Sequence, residues 1–322
     1  MASATNGISL RALAMFEVLA RNGSIAETAR RTGQSQPAVS QQLQRLEAGL
    51  GTPLMHHGTR PMTLTNAGRV FLTRAQESLR QLRLARTELE LLDLSHLTRL
   101  RIGIIEDFDA EVTPALVSTL SQNLRNCHFK QVSGPSHELG AKLDDRSLDL
   151  IVAAAGTDPV PGWHELALLR DPYILATPLD FTFDPGDPLP ALRDLPFLRQ
   201  DRDMLMGRQI EAQLARLRID LTDRFEIGSI QSLMGLVANG FGWTITTPLG
   251  YVRARRFQDQ IAVHPLPFAK FSRHISLFWR ADGAGKVPGD IAKILRALLQ
   301  QSVVAEGLET MPWLQSEYRV IG

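Results

Sequence analysis

The sequence predicts an all-α head of winged helix-turn-helix type, one long linking helix, and an α/β domain of two subdomains. Three observations carry this. Residues 24–50 hold two short helix patterns separated by a tight turn. Residues 66–93 read as one uninterrupted helix. From residue 98 strand and helix patterns alternate regularly.

In the head, Leu13, Phe16, Leu19 and Ala20 recur at helical spacing and predict a first helix backing the unit. Ser24 is a good N-cap, and Glu27 three residues on predicts a capping box. Ala26 and Ala29 allow a neighbouring helix close, and Gly33 suits the left-handed residue that ends a helix. Ser35 is the next N-cap, with Pro37 in the first turn, where a missing N–H costs nothing. Val39, Leu43, Leu46 and Leu50 form one apolar stripe. The opposite face shows Gln36, Ser40, Gln41, Gln44 and Arg45. Gln pairs bidentately with adenine and Arg with guanine, while Ser bonds phosphate or base. A helix so decorated fits the major groove of DNA. The bland alternative is a helical hairpin with a solvated, Gln-rich face.

Gly51, Pro53, Gly58 and Pro61 break helix around the short extended piece Met62–Leu64, which predicts a β-hairpin wing carrying His57 and Arg60. Thr65 then caps a helix of roughly 40 Å at 1.5 Å per residue. Ala75, Ser78, Leu82, Ala85, Leu89 and Leu92 offer a seam for a second chain, or a stripe packing on the same domain. Residues 1–65 are thus the head and 66–94 the linker.

Residues 98–305 predict mostly parallel sheets in two subdomains, the first from about 98–170 and 273–305, the second from about 171–272. The chain crosses between them at 162–174 and again near 264–276. Residues 306–322 form a tail that no pattern places.

Composition bounds the rest. The chain has 322 residues, 44% hydrophobic and 21% charged, which suits a soluble protein with a core. No apolar run approaches a membrane span and no leader pattern opens the chain, so a cytoplasmic location without membrane contact is expected. The single cysteine, Cys127, forbids an internal disulfide. Net charge is +1, but residues 1–74 carry eight Arg and three Glu, a local +5 that leaves −4 for the rest. Positive charge gathered on the head suits phosphate contact.

These motifs together resemble the LysR-type transcriptional regulators over nearly the whole chain. The resemblance is carried by Phe16, Gly23-Ser24, Ala29, Ser35 to Ser40, Leu43, Leu46-Glu47, Gly51, Pro53-Leu54, Leu64-Thr65 and Ala67-Gly68. Farther on it is carried by Leu100 to Gly103, Leu148 to Leu150, and Gly240 to Gly242 running into Pro248. It implies a periplasmic-binding-protein-like effector domain and a dimer or tetramer assembled through the linker and effector domains. It further implies an interrupted inverted repeat in promoter DNA as target, RNA polymerase as a further partner, and an unidentified small-molecule effector with no cofactor or metal. Ser35, Gln36, Pro37, Ser40, Gln41, Gln44, Arg45, His57 and Arg60 are the expected DNA contacts. Thr28, Thr32 and Gln34 depart from the family's apolar residues, as Met55 and His57 depart from its Phe and Arg. A neutral His loses an ionic phosphate contact, so operator affinity is expected to rise at low pH through His56 and His57.

Ligands of open α/β sheets lie beyond the carboxyl ends of strands. The expected effector residues are therefore Glu106, Asp107, Phe108, Ser133, Ser136, Asp201, Arg202, Ser229 and Thr246. The acidic pair Glu106 and Asp107 would repel an anion unless Arg202 or Arg208 compensates, which favours a cationic, zwitterionic or neutral effector. Solvated loop carboxylates are the plain alternative.

No GxSxG, HExxH, P-loop or paired-cysteine motif occurs, and Gly240-Phe241-Gly242 lacks the third glycine of a dinucleotide fingerprint, so no enzyme is expected. The remaining alternative is a solute-binding-type protein without regulatory DNA binding. The DNA-reading head argues against it.

Overall fold

The computed structural model describes residues 8–90, 97–124, 127–156, 158–184, 189–221, 224–283 and 285–322, without the side chains of 80, 83–90, 122, 123 and 189. The chain divides into two units, Met1–Leu89 and Glu90–Gly322.

The first unit runs α1 (Leu10–Asn22), α2 (Ile25–Thr32), α3 (Gln36–Leu50), β1 (Met55–His56), β2 (Thr63–Leu64) and α4 (Asn66–Glu90). Each cap follows from sequence. The Oγ atoms of Ser9, Ser24 and Ser35 accept first-turn N–H groups of the three helices, and Gly33 ends α2 at φ +63°. The expected capping box is only half formed. Ser24 Oγ accepts from Glu27 N, but the Glu27 carboxylate binds Arg30 and Arg31 instead of reaching back. Asn22 Oδ1 takes the Ser24 N–H in its place, at 2.8 Å.

Met15, Phe16, Leu19, Ala29, Val39, Leu43, Leu46, Leu54 and Met55 form the core of the head. Ala26 is exposed and takes no part, whereas Ala29 is buried, so only one of the two expected alanines lets a helix approach. Thr28, polar where an apolar residue was expected, is fully buried. Its hydroxyl sits 3.2 Å from both the amide nitrogen and the amide oxygen of Asn22, so burial leaves no polar group unpaired.

β1 and β2 pair antiparallel and form the wing. Thr65 Oγ1 accepts from Gly68 N and caps α4. Gly68 is more than helix-tolerable: a Cβ there would lie 2.0 Å from the Leu54 carbonyl oxygen, so only glycine lets α4 meet the wing. Ala75 does not belong to an open seam, because it packs with Leu79 against Leu13 of its own head. Ser78 and Leu82 are exposed, and Ala85, Leu89 and Leu92 lie outside the described side chains.

The second unit begins β3 (Arg99–Ile105), α5 (Val112–Asn123), β4 (His128–Gly134), α6 (Ser136–Asp144), β5 (Leu150–Ala154), β6 (Trp163–Pro172) and β7 (Ile174–Pro178). It continues α7 (Leu189–Arg193), β8 (Leu198–Gln200), α8 (Leu205–Leu217), β9 (Phe225–Ile227), α9 (Ile230–Ala238), β10 (Thr244–Thr246), α10 (Pro248–Arg253) and β11 (Ile261–His264). It closes with β12 (Ser272–Arg280), α11 (Val287–Leu298), a π-helical stretch Leu299–Val304, α12 (Ala305–Thr310) and β13 (Arg319–Val320).

The first subdomain is a six-stranded sheet in the order β13-β6-β12-β5-β3-β4, and the second centres on β10-β7-β11 with β8-β9 beside it. The sheets are not mostly parallel. β3 pairs parallel with β4 and β5, and β8 with β9, but every pairing of β12, β13 and β7 is antiparallel. The cause is the double crossing: β6 leaves the first subdomain and β12 returns beside it, so the two strands run in opposite directions.

Residues 306–322 are built into the first subdomain. β13 pairs with β6, and Met311, Leu314 and Tyr318 are buried in the main core. Their apolar residues are too few and too irregularly spaced to declare an element locally. Among the described residues no helix is long and apolar enough to cross a membrane.

Candidate functional site

The head presents one face of α3. Val39, Leu43 and Leu46 face inward, while Gln36, Pro37, Gln41, Gln44 and Arg45 are exposed and Ser40 is half-buried. Ser35 is exposed and carries the cap. The five polar positions run from the first helical turn along one side, as a groove-reading helix requires.

Beside α3 the wing exposes His56, His57 and Arg60. His57 Nε2 lies 2.9 Å from Glu47 Oε2 on α3. Glu47 also accepts the Leu54 and Met55 N–H groups, at 2.7 and 3.2 Å. A single carboxylate thus ties α3 to the wing, and the sequence carried this role only as one position of the family motif. The wing is further held by Met62 N donating to the Gly23 carbonyl at 2.9 Å. On α2, Glu27 is held at about 2 by its hydrogen bonds to Arg30 and Arg31.

In the second unit a cleft lies where the ends of β3, β4 and β5 face the starts of α8 and α9. Its volume is about 410 Å3. Of the expected effector residues, Glu106, Asp107, Ser136 and Ser229 line it. The others do not. Phe108 is buried in the core. Thr246 is fully buried under α10, its hydroxyl beside Gly250. Ser133 donates to Asp109 Oδ1 at the sheet edge. Asp201 accepts from Asp203 N, and Arg202 is drawn to Glu226, both outside the lining. Alternation along a strand and the turn of a short helix send these neighbours the other way.

The sequence missed Met204, Met206, His137, Arg253 and Arg273 in this lining. The two arginines matter most. Arg253 Nη1 lies 3.1 Å from Asp107 Oδ1, and its Nη2 lies 3.1 Å from Glu106 Oε2. Arg273 Nη2 donates to Asp107 Oδ2 at 2.9 Å, and its Nε donates to Asp171 Oδ2 at 2.8 Å. The acidic pair is therefore compensated by Arg253 and Arg273, not by Arg202 or Arg208. Arg208 instead donates to the Asp203 carbonyl. Burial works against the charge on Arg273, but Asp171 and Asp107 outweigh it and hold its pKa above the usual range. Arg253 ends α10 and Arg273 lies at the start of β12, so the rule of carboxyl strand ends that found Glu106 could not find them.

A helix-turn-helix head with an exposed polar reading face, joined to a two-subdomain α/β unit with a cleft, defines a ligand-regulated type of DNA-binding transcription factor. The chain belongs to the LysR family: the family model described as bacterial regulatory helix-turn-helix protein, lysR family, matches residues 10–69, and the LysR substrate binding domain matches residues 95–300. It is a DNA-binding transcriptional regulator. The probable hydrogen peroxide-inducible genes activator of Streptomyces viridosporus is 28% identical over 292 residues, covering 86% of this chain and 89% of that one. The DNA-binding transcriptional dual regulator OxyR of Escherichia coli K12 is 25% identical over 281 residues, covering 85% and 90%. Among solved structures, a hydrogen-peroxide-bound mutant of Corynebacterium glutamicum OxyR superposes with a TM-score of 0.58 at 25% identity, covering 94% of this chain and 96% of that one.

Proposed function

We propose that the protein binds an interrupted inverted repeat in promoter DNA as a dimer or tetramer, reads it with α3, and changes its action when a small molecule occupies the cleft of the second unit. The exposed Gln36–Arg45 face over a fully buried Val39–Leu46 face is the observation that carries the reading. Gln36, Ser40, Gln41, Gln44 and Arg45 face base edges, Ser35 and Pro37 bring the helix start to a phosphate, and Arg60 with His57 meets the backbone. The exposed Ser78 and Leu82 of α4 suit pairing with a second chain. The protein works in the cytoplasm, where promoter DNA and RNA polymerase are.

Relatives of this chain are named for hydrogen peroxide-inducible genes. A peroxide-sensing thiol needs thiolate character and access. Cys127, the one cysteine of the chain, is half-buried, and burial pushes its thiol up. A bound effector therefore accounts for regulation better than thiol oxidation.

Gel shifts with the protein's own upstream DNA test the reading. Gln36→Ala or Ser40→Ala is expected to weaken specific binding by roughly 1–3 kcal/mol and leave non-specific binding nearly unchanged. Arg60→Ala is expected to weaken binding to all sequences and flatten the salt dependence. The reverse assortment would refute the assignment of α3.

A further inference from the structure

We propose that the effector is an organic cation with an apolar body, its charged head lying between Glu106 and Glu138 and its body against Met204, Met206, Ile227 and Ile230. The inference rests on reading the cleft as the effector site. Two guanidinium groups line that cleft, and both are committed. Arg253 serves Glu106 and Asp107, and Arg273 serves Asp107 and Asp171. Two positive charges thus share three carboxylates, and Glu138 adds a fourth. Lys142 reaches Glu138 only at 3.8 Å, beyond hydrogen-bond distance.

The carboxylates left with free oxygen lone pairs are those that ligand can reach. The Glu106 and Glu138 side chains are 51% and 55% exposed, whereas Arg273 is 4% exposed. Ser136 Oγ accepts the Ala154 N–H and keeps its own O–H to donate, a neutral donor that suits an alcohol as well as an anion. The start of α6 would ordinarily draw negative charge, but Glu138 in its first turn supplies that charge itself. An anion that reaches Arg253 must displace Glu106, while a cation meets carboxylate oxygens that keep free lone pairs.

The facing wall is of another kind. Met204 and Met206 at the start of α8, with Ile227 and Ile230 around the end of β9, offer a pliable apolar surface. A volume of about 410 Å3 fits a small organic molecule rather than an inorganic ion.

The test uses full-length protein and matched ligand sets of one shape: phenethylamine, 2-phenylethanol and 3-phenylpropanoate; hexylamine, hexanol and hexanoate; and agmatine alone. Thermal shift and calorimetry are expected to show binding of at least one amine well above its alcohol and acid. Glu106→Gln and Glu138→Gln should each weaken that binding about tenfold. Both carboxylates are more than half exposed, so neither change is expected to unfold the protein. Preferential binding of an acid, amine binding that neither substitution weakens, or no response to any amine of the panel would each overturn the proposal. A gel shift on the same preparation separates the two readings: specific DNA retardation without any amine response keeps the regulator and removes the cation.

Discussion

Arg273 and Asp107 meet at 2.9 Å, and this contact joins the return strand β12 to the end of β3 at the floor of the cleft. Asp171, fully buried at the end of the outgoing β6, takes the other edge of the same guanidinium. Both chain crossings between subdomains thus converge on one arginine. Arg273→Met is expected to strand the Asp171 carboxylate and cost about 3–5 kcal/mol. All four tryptophans lie in this unit, at positions 163, 243, 279 and 313, so urea unfolding followed by tryptophan fluorescence reads it directly. A loss below 1 kcal/mol would show that the network is dispensable.

Thr28 and Asn22 form a buried polar pair where α2 packs on α1. Thr28→Val keeps the shape and removes the hydroxyl. The expected cost is about 0.5–1.5 kcal/mol, seen as a lower head transition by circular dichroism with the tryptophan transition unmoved. A gain in head stability would mean that the apolar residue usual in the family is simply better here.

Gly68→Ala sets two effects against each other. Alanine favours helix by about 1 kcal/mol over glycine, but its Cβ would lie 2.0 Å from the Leu54 carbonyl oxygen. Backbone cannot yield cheaply, so overpacking of about 1–3 kcal/mol wins and the head is expected to lose stability. A raised head midpoint would contradict the close approach.

Glu47 holds the Leu54 and Met55 N–H groups and the His57 ring at once. Glu47→Ala should loosen the wing and weaken DNA binding on specific and random duplexes alike, by about tenfold if one charge-assisted bond is decisive. Loss confined to the specific duplex would point to base reading by Glu47 itself.

His264 of β11 lies between Thr177 and the Phe183 ring, and burial lowers its pKa below 6.5. The folded protein then binds fewer protons there than the unfolded chain. Stability from the neutral ring is present above about pH 6.5 and is lost as pH falls through that value toward the folded pKa. Comparing unfolding at pH 7.5 and 5.5, the wild type should lose more stability than His264→Gln. An equal loss would exclude His264 as the source.

The helices of the head were legible because their information is local. Ser24, Gly33, Ser35 and Pro37 act within one turn of themselves, and Val39, Leu43 and Leu46 announce a buried face by spacing alone. The long-range partners were not. Asn22 behind Thr28 and Glu47 beneath the wing depend on packing, and packing also took Ala75 into the head instead of a seam. In the second unit the elements were foreseeable from alternating patterns, whereas sheet direction was not, because it depends on the side from which β12 re-enters.

The sequence alone determined the class of protein: the order of elements, the exposed reading face of α3 and the two-subdomain plan all follow from periodicity and caps. Tertiary structure alone decided the chemistry of the cleft. Charge compensation there is set by distance in space, and Arg253 and Arg273 stand 146 and 166 residues away in the chain from Asp107, which both neutralise. Coulomb attraction falls with spatial separation and is blind to sequence separation, so no local pattern could have paired them.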